Sequence, residues 1–171
     1  AAGRAWVGLA LSLAVLVAYS VWRDPASNPA NIPRFIAAGL PVWKLLGGCR
    51  DRAPVYGSDG GWLNMSVEEI VAAGCEYLDQ GMHGVKLKVG HDDPAVDIER
   101  VAGVRDALGP DTWIAVDANQ KWDLPRATRA GRAFEELGCA WFEEPMLCDD
   151  VIGHARLSRR LDIPIALGET L

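Results

Sequence analysis

The chain has 171 residues, half of them hydrophobic and 23% charged. That is the balance of a folded globular domain and excludes a disordered tail, a collagen-like repeat and a disulfide-held miniprotein. Lys and Arg number 17 against 23 Asp and Glu, a net charge of −6, so no overall basic field draws the chain to nucleic acid.

Residues 5–22 form an 18-residue run without a charge, bounded by Arg4 and Arg23. The length meets the threshold of a membrane-spanning helix or signal anchor, and Gly8, Ser12 and Ser20 equally suit a buried helix of a globular domain. Localisation is accordingly expected to be cytoplasmic, with membrane anchoring through residues 5–22 as the alternative. In residues 24–35, Pro25, Pro29 and Pro33 forbid a regular helix and mark a linker.

From residue 54 onward, short apolar runs alternate with amphipathic stretches. The runs are residues 54–56, 85–89, 113–116, 140–142 and 163–167, each short enough for a strand buried on both faces. Helix starts stand between them: Ser66 with Glu69 as a capping box, Asp93 before Pro94, and Asp123 ahead of Pro125. Gly81, Gly109 and Gly138 stand where those helices should stop. Such alternation predicts a parallel sheet with helical crossovers. Four cysteines, Cys49, Cys75, Cys139 and Cys148, lie far apart with no C-x-x-C pair, which points to reduced thiols.

Lys88, Asp117, Glu143 and Glu169 each end an apolar run, at intervals of 29, 26 and 26 residues. Near-constant spacing puts each at the same point of successive βα units, the carboxyl end of its strand, where both βα barrels and open doubly wound sheets build their sites. Carboxylates on strands roughly 4.8 Å apart repel unless a cation lies between them. An all-oxygen donor set favours a hard ion such as Mg²⁺; the alternative is that each acid caps the following helix. Period-two alternation sends Lys86 and Lys88 to one side of their strand and Leu87 to the other. Two ammonium groups held close depress each other's pKa, which would leave one a neutral base near pH 7; the alternative is a solvated edge strand. A metal beside such a base suits removal of a proton α to a carboxylate.

VKLKVG (residues 85–90), VDANQKWD (116–123), WFEEP (141–145) and ALGET (166–170) together resemble the mandelate racemase/muconate lactonizing enzyme branch of the enolase superfamily, and most of all its galactarate/talarate-type acid-sugar dehydratases. Residues 37–48, AAGLPVWKLLGG, resemble that family's junction between capping domain and barrel. The resemblance implies a partial (β/α) TIM-type barrel of about the first five strands in residues 54–171. A capping-domain junction precedes it in residues 37–53, and residues 1–36, the apolar helix and proline-rich linker, are atypical of the family. It further implies Mg²⁺ ligands at Asp117, Glu143 and Glu169, a base at Lys88 and a tuning, carboxylate-contacting partner at Lys86. Asn119, Glu144 and Trp62 are assigned to substrate contact or to support of the ligands. The implied substrate is a small acid-sugar carboxylate, with homo-oligomers in the full-length family. The family's second acid/base, a His paired with an Asp, belongs to later strands, and none of His83, His91 or His154 fits it; each is expected on a helix or loop surface. The isolated chain is therefore expected to show little or no turnover in dehydration. A racemase or epimerase is the alternative chemistry, and an inactive remnant the alternative class.

Overall fold

A computed structural model describes residues 44, 48–50 and 52–169. The chain divides into two compact units, Ala1–Ala53 and Pro54–Leu171, and the fold below is that of the second. The apolar run of residues 5–22 lies outside the described residues. Among the described residues no helix is long and apolar enough to cross a membrane.

Four strands and four helices alternate: α1 (Val67–Asp79), β1 (Gly84–Lys88), α2 (Pro94–Leu108), β2 (Trp113–Asp117), α3 (Leu124–Glu136), β3 (Phe142–Glu143), α4 (Val151–Ser158) and β4 (Ile165–Ala166). The strands are all parallel and lie in the order β1-β2-β3-β4. Consecutive order without reversal is the arrangement of a βα barrel wall rather than of a doubly wound sheet, whose order turns back at a switch point. The helices begin as the sequence predicts. Ser66 and Glu69 form a reciprocal capping box, while Asp93 and Asp123 each accept a backbone N–H of the first helical turn; Asp150, which the sequence reading did not single out, does the same for α4. Gly81, Gly109 and Gly138 take positive φ of 81°, 83° and 67° just past helix ends.

The fifth expected strand, residues 54–56, is reduced to a single parallel bridge between Gly57 and Val85. The segment still runs along β1. His83 N–H donates to the Val55 carbonyl, Gly57 N–H to Gly84, Lys86 N–H to Gly57 and Lys88 N–H to Gly61. A turn at residues 59–60 interrupts the ladder between Gly57 and Gly61. Gly61 is required by close approach: a Cβ there would lie 2.3 Å from the Lys86 carbonyl oxygen and 2.9 Å from Leu87 Cα.

The core lies between sheet and helices. Leu87, Ile114, Val116 and Phe142 from the strands meet Ile70, Val101, Val104 and Phe134 from the helices, all inaccessible to solvent. Phe134 packs edge-on to Phe142 with centroids 5.5 Å apart, and Trp122 meets both rings. None of the four cysteines is in a disulfide, and burial pushes the Cys139 thiol up to about 12, countered in part by Arg105. His154 departs from expectation. It lies on α4 but is buried, with Nδ1 on the Asp150 carbonyl and Nε2 without a partner, because the inward face of this short helix carries Gly153, His154 and Leu157.

A buried polar cluster fastens the end of β1. Asp97 on α2 is fully buried; it accepts the N–H groups of Gly90 and His91 at 2.8 Å, His91 Nδ1 at 2.7 Å and Arg100 at 3.2 Å. Arg100 in turn donates to the carbonyls of Lys88 and Trp62. Breaking a buried ion pair by removing one partner costs about 3–5 kcal/mol, so Asp97→Ala should lower the unfolding free energy by about that amount in urea denaturation. Gly61→Ala, which sets a methyl group against backbone that must shift, should cost about 1–3 kcal/mol in the same measurement.

Candidate active site

The register of the sheet assembles the site. Lys88 pairs with Asp117 across β1 and β2, and Asp117 pairs with Glu143 across β2 and β3. Three of the four phased residues therefore stand side by side at one level, on the carboxyl rim. Glu169 does not. The β4 partner of Glu143 is Ala166, and Glu169 follows three residues later, in a turn after Gly168, whose φ is 131°. It reaches the same place from outside the sheet: carboxylate oxygens of Asp117, Glu143 and Glu169 lie within 4.8 Å of one another. Asp117 is buried, Glu143 half-buried and Glu169 exposed.

Both lysines point to this cluster, and Leu87 between them packs into the core. Lys86 Nζ donates to both Glu143 oxygens at 2.9 Å and lies 3.5 Å from Asp117 Oδ2. Lys88 Nζ donates to Asp117 Oδ2 at 2.6 Å. This pairing corrects the expectation that the two ammonium groups mainly depress one another. Burial disfavours the charged form of Lys86, but the hydrogen bond and charge of Glu143, with Asp117 and Tyr56, outweigh it and hold its pKa above the usual lysine value.

The cleft around these groups, about 480 Å³, is lined by both lysines, Asp117, Glu143, Glu144 and Glu169, with Tyr56, Trp141 and residues 166–168. Tyr56 and Trp141 were not singled out by the sequence. Their rings meet edge-on at 5.0 Å, and Trp141 Nε1 donates to Glu143 Oε2 at 3.2 Å. Alternation along β3 puts residues 141 and 143 on one side and was a usable signal; Tyr56, beyond the last regular strand pairing, offered none. Asn119 contributes through its backbone, not its amide. With φ of 43° it turns its N–H back onto Asp117 Oδ1 at 3.0 Å, and its side chain is exposed outside the cleft. Trp62 does not line the cleft either; half its surface is exposed and its carbonyl is held by Arg100. Glu144 is 1% exposed, its Oε1 accepts the N–H groups of Gly168 and Glu169, and its Oε2 has no partner.

The donor set fits a hard divalent cation: every candidate atom is a carboxylate oxygen, three of them converge, and an orphaned buried carboxylate oxygen stands among the residues lining the same cleft. No histidine lines it.

A parallel βα sheet with acids at its carboxyl rim and a K-x-K strand beside them is the arrangement on which βα-barrel enzymes build their sites. The profile of the Enolase C-terminal domain-like family matches residues 69–171, and the chain belongs to that family. The chain is 44% identical over 134 residues to the L-talarate/galactarate dehydratase of Salmonella typhimurium, an alignment that covers 78% of this chain and 34% of that protein. It is 36% identical over 135 residues to the L-Ala-D/L-Glu epimerase of Bacillus subtilis, with 78% and 36% covered. The crystal structure of the Salmonella dehydratase, liganded with Mg and L-lyxarohydroxamate, superposes with a TM-score of 0.77 at 43% identity, over 81% of this chain and 35% of that one. The chain thus spans about a third of the length of the relatives it matches.

The raised Lys86 pKa has a consequence for stability against pH. Because the folded value lies above the unfolded one, the stabilisation is complete below the unfolded lysine value of 10.5 and fades as pH rises through the folded value. Lys86→Met should therefore unfold at lower urea than the parent at neutral pH, and the gap should narrow at alkaline pH beyond 10.5.

Proposed function

We propose that the chain carries the cation and base half of an acid-sugar dehydratase site. Asp117, Glu143 and Glu169 would hold Mg²⁺, Lys88 would act as the base, and Lys86 would contact the substrate carboxylate. Asn119 and Glu144 would support the ligands. The observation that supports this reading most is the meeting of three carboxylates from β2, β3 and the turn after β4 with two lysines from β1.

Mg²⁺ held by Asp117, Glu143 and Glu169 would supply positive charge to offset the negative charge developing on the substrate carboxylate. Lys88, as neutral amine, takes the proton from the carbon α to that carboxylate. The electron pair left behind is delocalised onto the carboxylate as an enediolate, which either takes a proton back at the α-carbon or forms the Cα–Cβ double bond as the Cβ–O bond breaks. The leaving hydroxyl takes a proton from a general acid and departs as water, and the resulting enol tautomerises to a 2-keto-3-deoxy acid. Tyr56 and Trp141 form an apolar wall beside the lysines that suits exclusion of water from the amine.

The base half is testable without the general acid. Galactarate or talarate incubated with the chain and Mg²⁺ in D₂O should gain deuterium at the α-carbon, followed by NMR, and Lys88→Ala should slow this by about 10²–10⁴-fold. Absence of both exchange and Mg²⁺ binding overturns the proposal. Exchange together with keto-acid product supports dehydration. Exchange with inversion and no keto acid supports the second reading, an epimerase or racemase, which the likeness to the Bacillus epimerase favours.

A further inference from the structure

The two acids that the sheet places each have one oxygen held by a rigid N–H of the protein. Asp117 Oδ1 accepts the backbone N–H of Asn119 at 3.0 Å. Glu143 Oε2 accepts the indole Nε1–H of Trp141 at 3.2 Å. The lysines are partners of another kind, ammonium groups on flexible arms that can follow a carboxylate as it turns: Lys86 reaches both Glu143 oxygens at 2.9 Å. An indole N–H is a single donor on a planar frame and points one way.

The Trp141 frame is braced. Its carbonyl accepts Val116 N–H at 3.1 Å, and its neighbours bond to the flanking strands, Ala140 N–H to the Ile114 carbonyl at 2.8 Å and Phe142 N–H to the Pro164 carbonyl at 2.9 Å. Phe142 is inaccessible in the core, so alternation turns Trp141 to the cleft side together with Glu143. There Tyr56 meets its ring edge-on, with centroids 5.0 Å apart and planes at 68°. Tyr56 is tied down in turn through Gly57, whose N–H donates to the Gly84 carbonyl at 2.9 Å and whose carbonyl accepts Lys86 N–H at 2.8 Å.

A carboxylate can offer a cation one oxygen or both. Ca²⁺ takes roughly six to eight oxygens at about 2.3–2.6 Å and readily uses both oxygens of one carboxylate. Mg²⁺ demands near-octahedral geometry at about 2.0–2.1 Å and keeps several waters. Using both oxygens of Glu143 would cost the indole its charge-assisted acceptor. A donor fixed on one oxygen therefore favours the ion that needs only the other.

We propose that Trp141 is a positioning residue that sets the choice of cation: its Nε1–H holds Glu143 Oε2, leaves Oε1 for the ion, and so favours Mg²⁺ over Ca²⁺. This rests on the cation reading above and adds the group that discriminates between ions. Mn²⁺ binding to the folded chain, followed by loss of the free-ion EPR signal, gives the affinity of Mg²⁺ and of Ca²⁺ by displacement. Trp141→Phe keeps an aromatic ring against Tyr56 and removes the donor. It should bind Mg²⁺ about 10-fold more weakly and Ca²⁺ within about twofold of the parent, so that the ratio of the two affinities falls about 10-fold. A merely structural role would weaken both ions alike, and an unchanged ratio overturns the proposal while leaving the cation site standing. A parent chain that binds no Mn²⁺ overturns the cation reading and this inference with it. Hydrogen exchange of the Trp141 indole N–H, followed by NMR in the parent, needs no variant and decides the matter should Trp141→Phe fail to fold. Saturating Mg²⁺ should leave that exchange within about twofold of the metal-free rate, and saturating Ca²⁺ should speed it by about 10-fold as Oε2 is drawn to the ion. Equal exchange under the two ions overturns the proposal.

Discussion

Carboxylates gathered on one rim of a parallel sheet repel one another, and every feature of this site answers to that constraint. Lys86 spans Glu143 and Asp117, and Lys88 closes on Asp117 at 2.6 Å. Each ammonium group offsets part of the repulsion. The same oxygens that hold the lysines are those a divalent ion would take, so the lysines compete with the ion for their own partners. An amine released from a carboxylate is also an amine closer to acting as a base. On the proposed reading, metal loading and base activation would be coupled through these shared oxygens.

The sheet places two of the three converging carboxylates rigidly and leaves the third to a turn. Register fixes Lys88, Asp117 and Glu143 to one level because parallel pairing admits no half-steps: a one-residue slip would turn Asp117 into the core and Val116 to the rim. The β1 end is secured from outside by Asp97 and Arg100, which tie the Lys88 carbonyl and the Gly90–His91 amides to α2. Such a fully satisfied buried network rigidifies what it holds. Glu169 lies beyond the last strand pairing, and there the backbone N–H groups of Gly168 and Glu169 donate to Glu144 Oε1.

Much of this was legible in the sequence, and the reasons differ by residue. The caps at Ser66, Asp93 and Asp123 are local chemistry, decided within four residues, and they stand as expected. The even spacing of Lys88, Asp117 and Glu143 reports the repeat of a βα unit, and their common level follows from it. That same spacing misled at Glu169: the count of 26 residues was kept while β4 ended early, at Ala166. The α2 helix shows the opposite case. Its inward stripe of Pro94, Asp97, Val101 and Val104 contains an acid, so hydropathy hides the amphipathic face, and the partners that make Asp97 acceptable, His91 and Arg100, are visible only in three dimensions. Trp62 was drawn to the cleft by its loop, yet Gly61 brings that loop against the β1 backbone, with the Trp62 carbonyl turned to Arg100.

Lys86 shows why sign cannot be taken from neighbours in sequence alone. Two lysines on one strand face suggest mutual depression of pKa, and in an apolar mouth that conclusion would hold. Here each lysine has an acid on a neighbouring strand at hydrogen-bond distance. Coulomb energy falls with distance and hydrogen bonding adds to it, so the cross-strand carboxylate outweighs the same-strand ammonium at Lys86. The charge of each ammonium group is thus met by a carboxylate of the site itself, across the strands rather than along one.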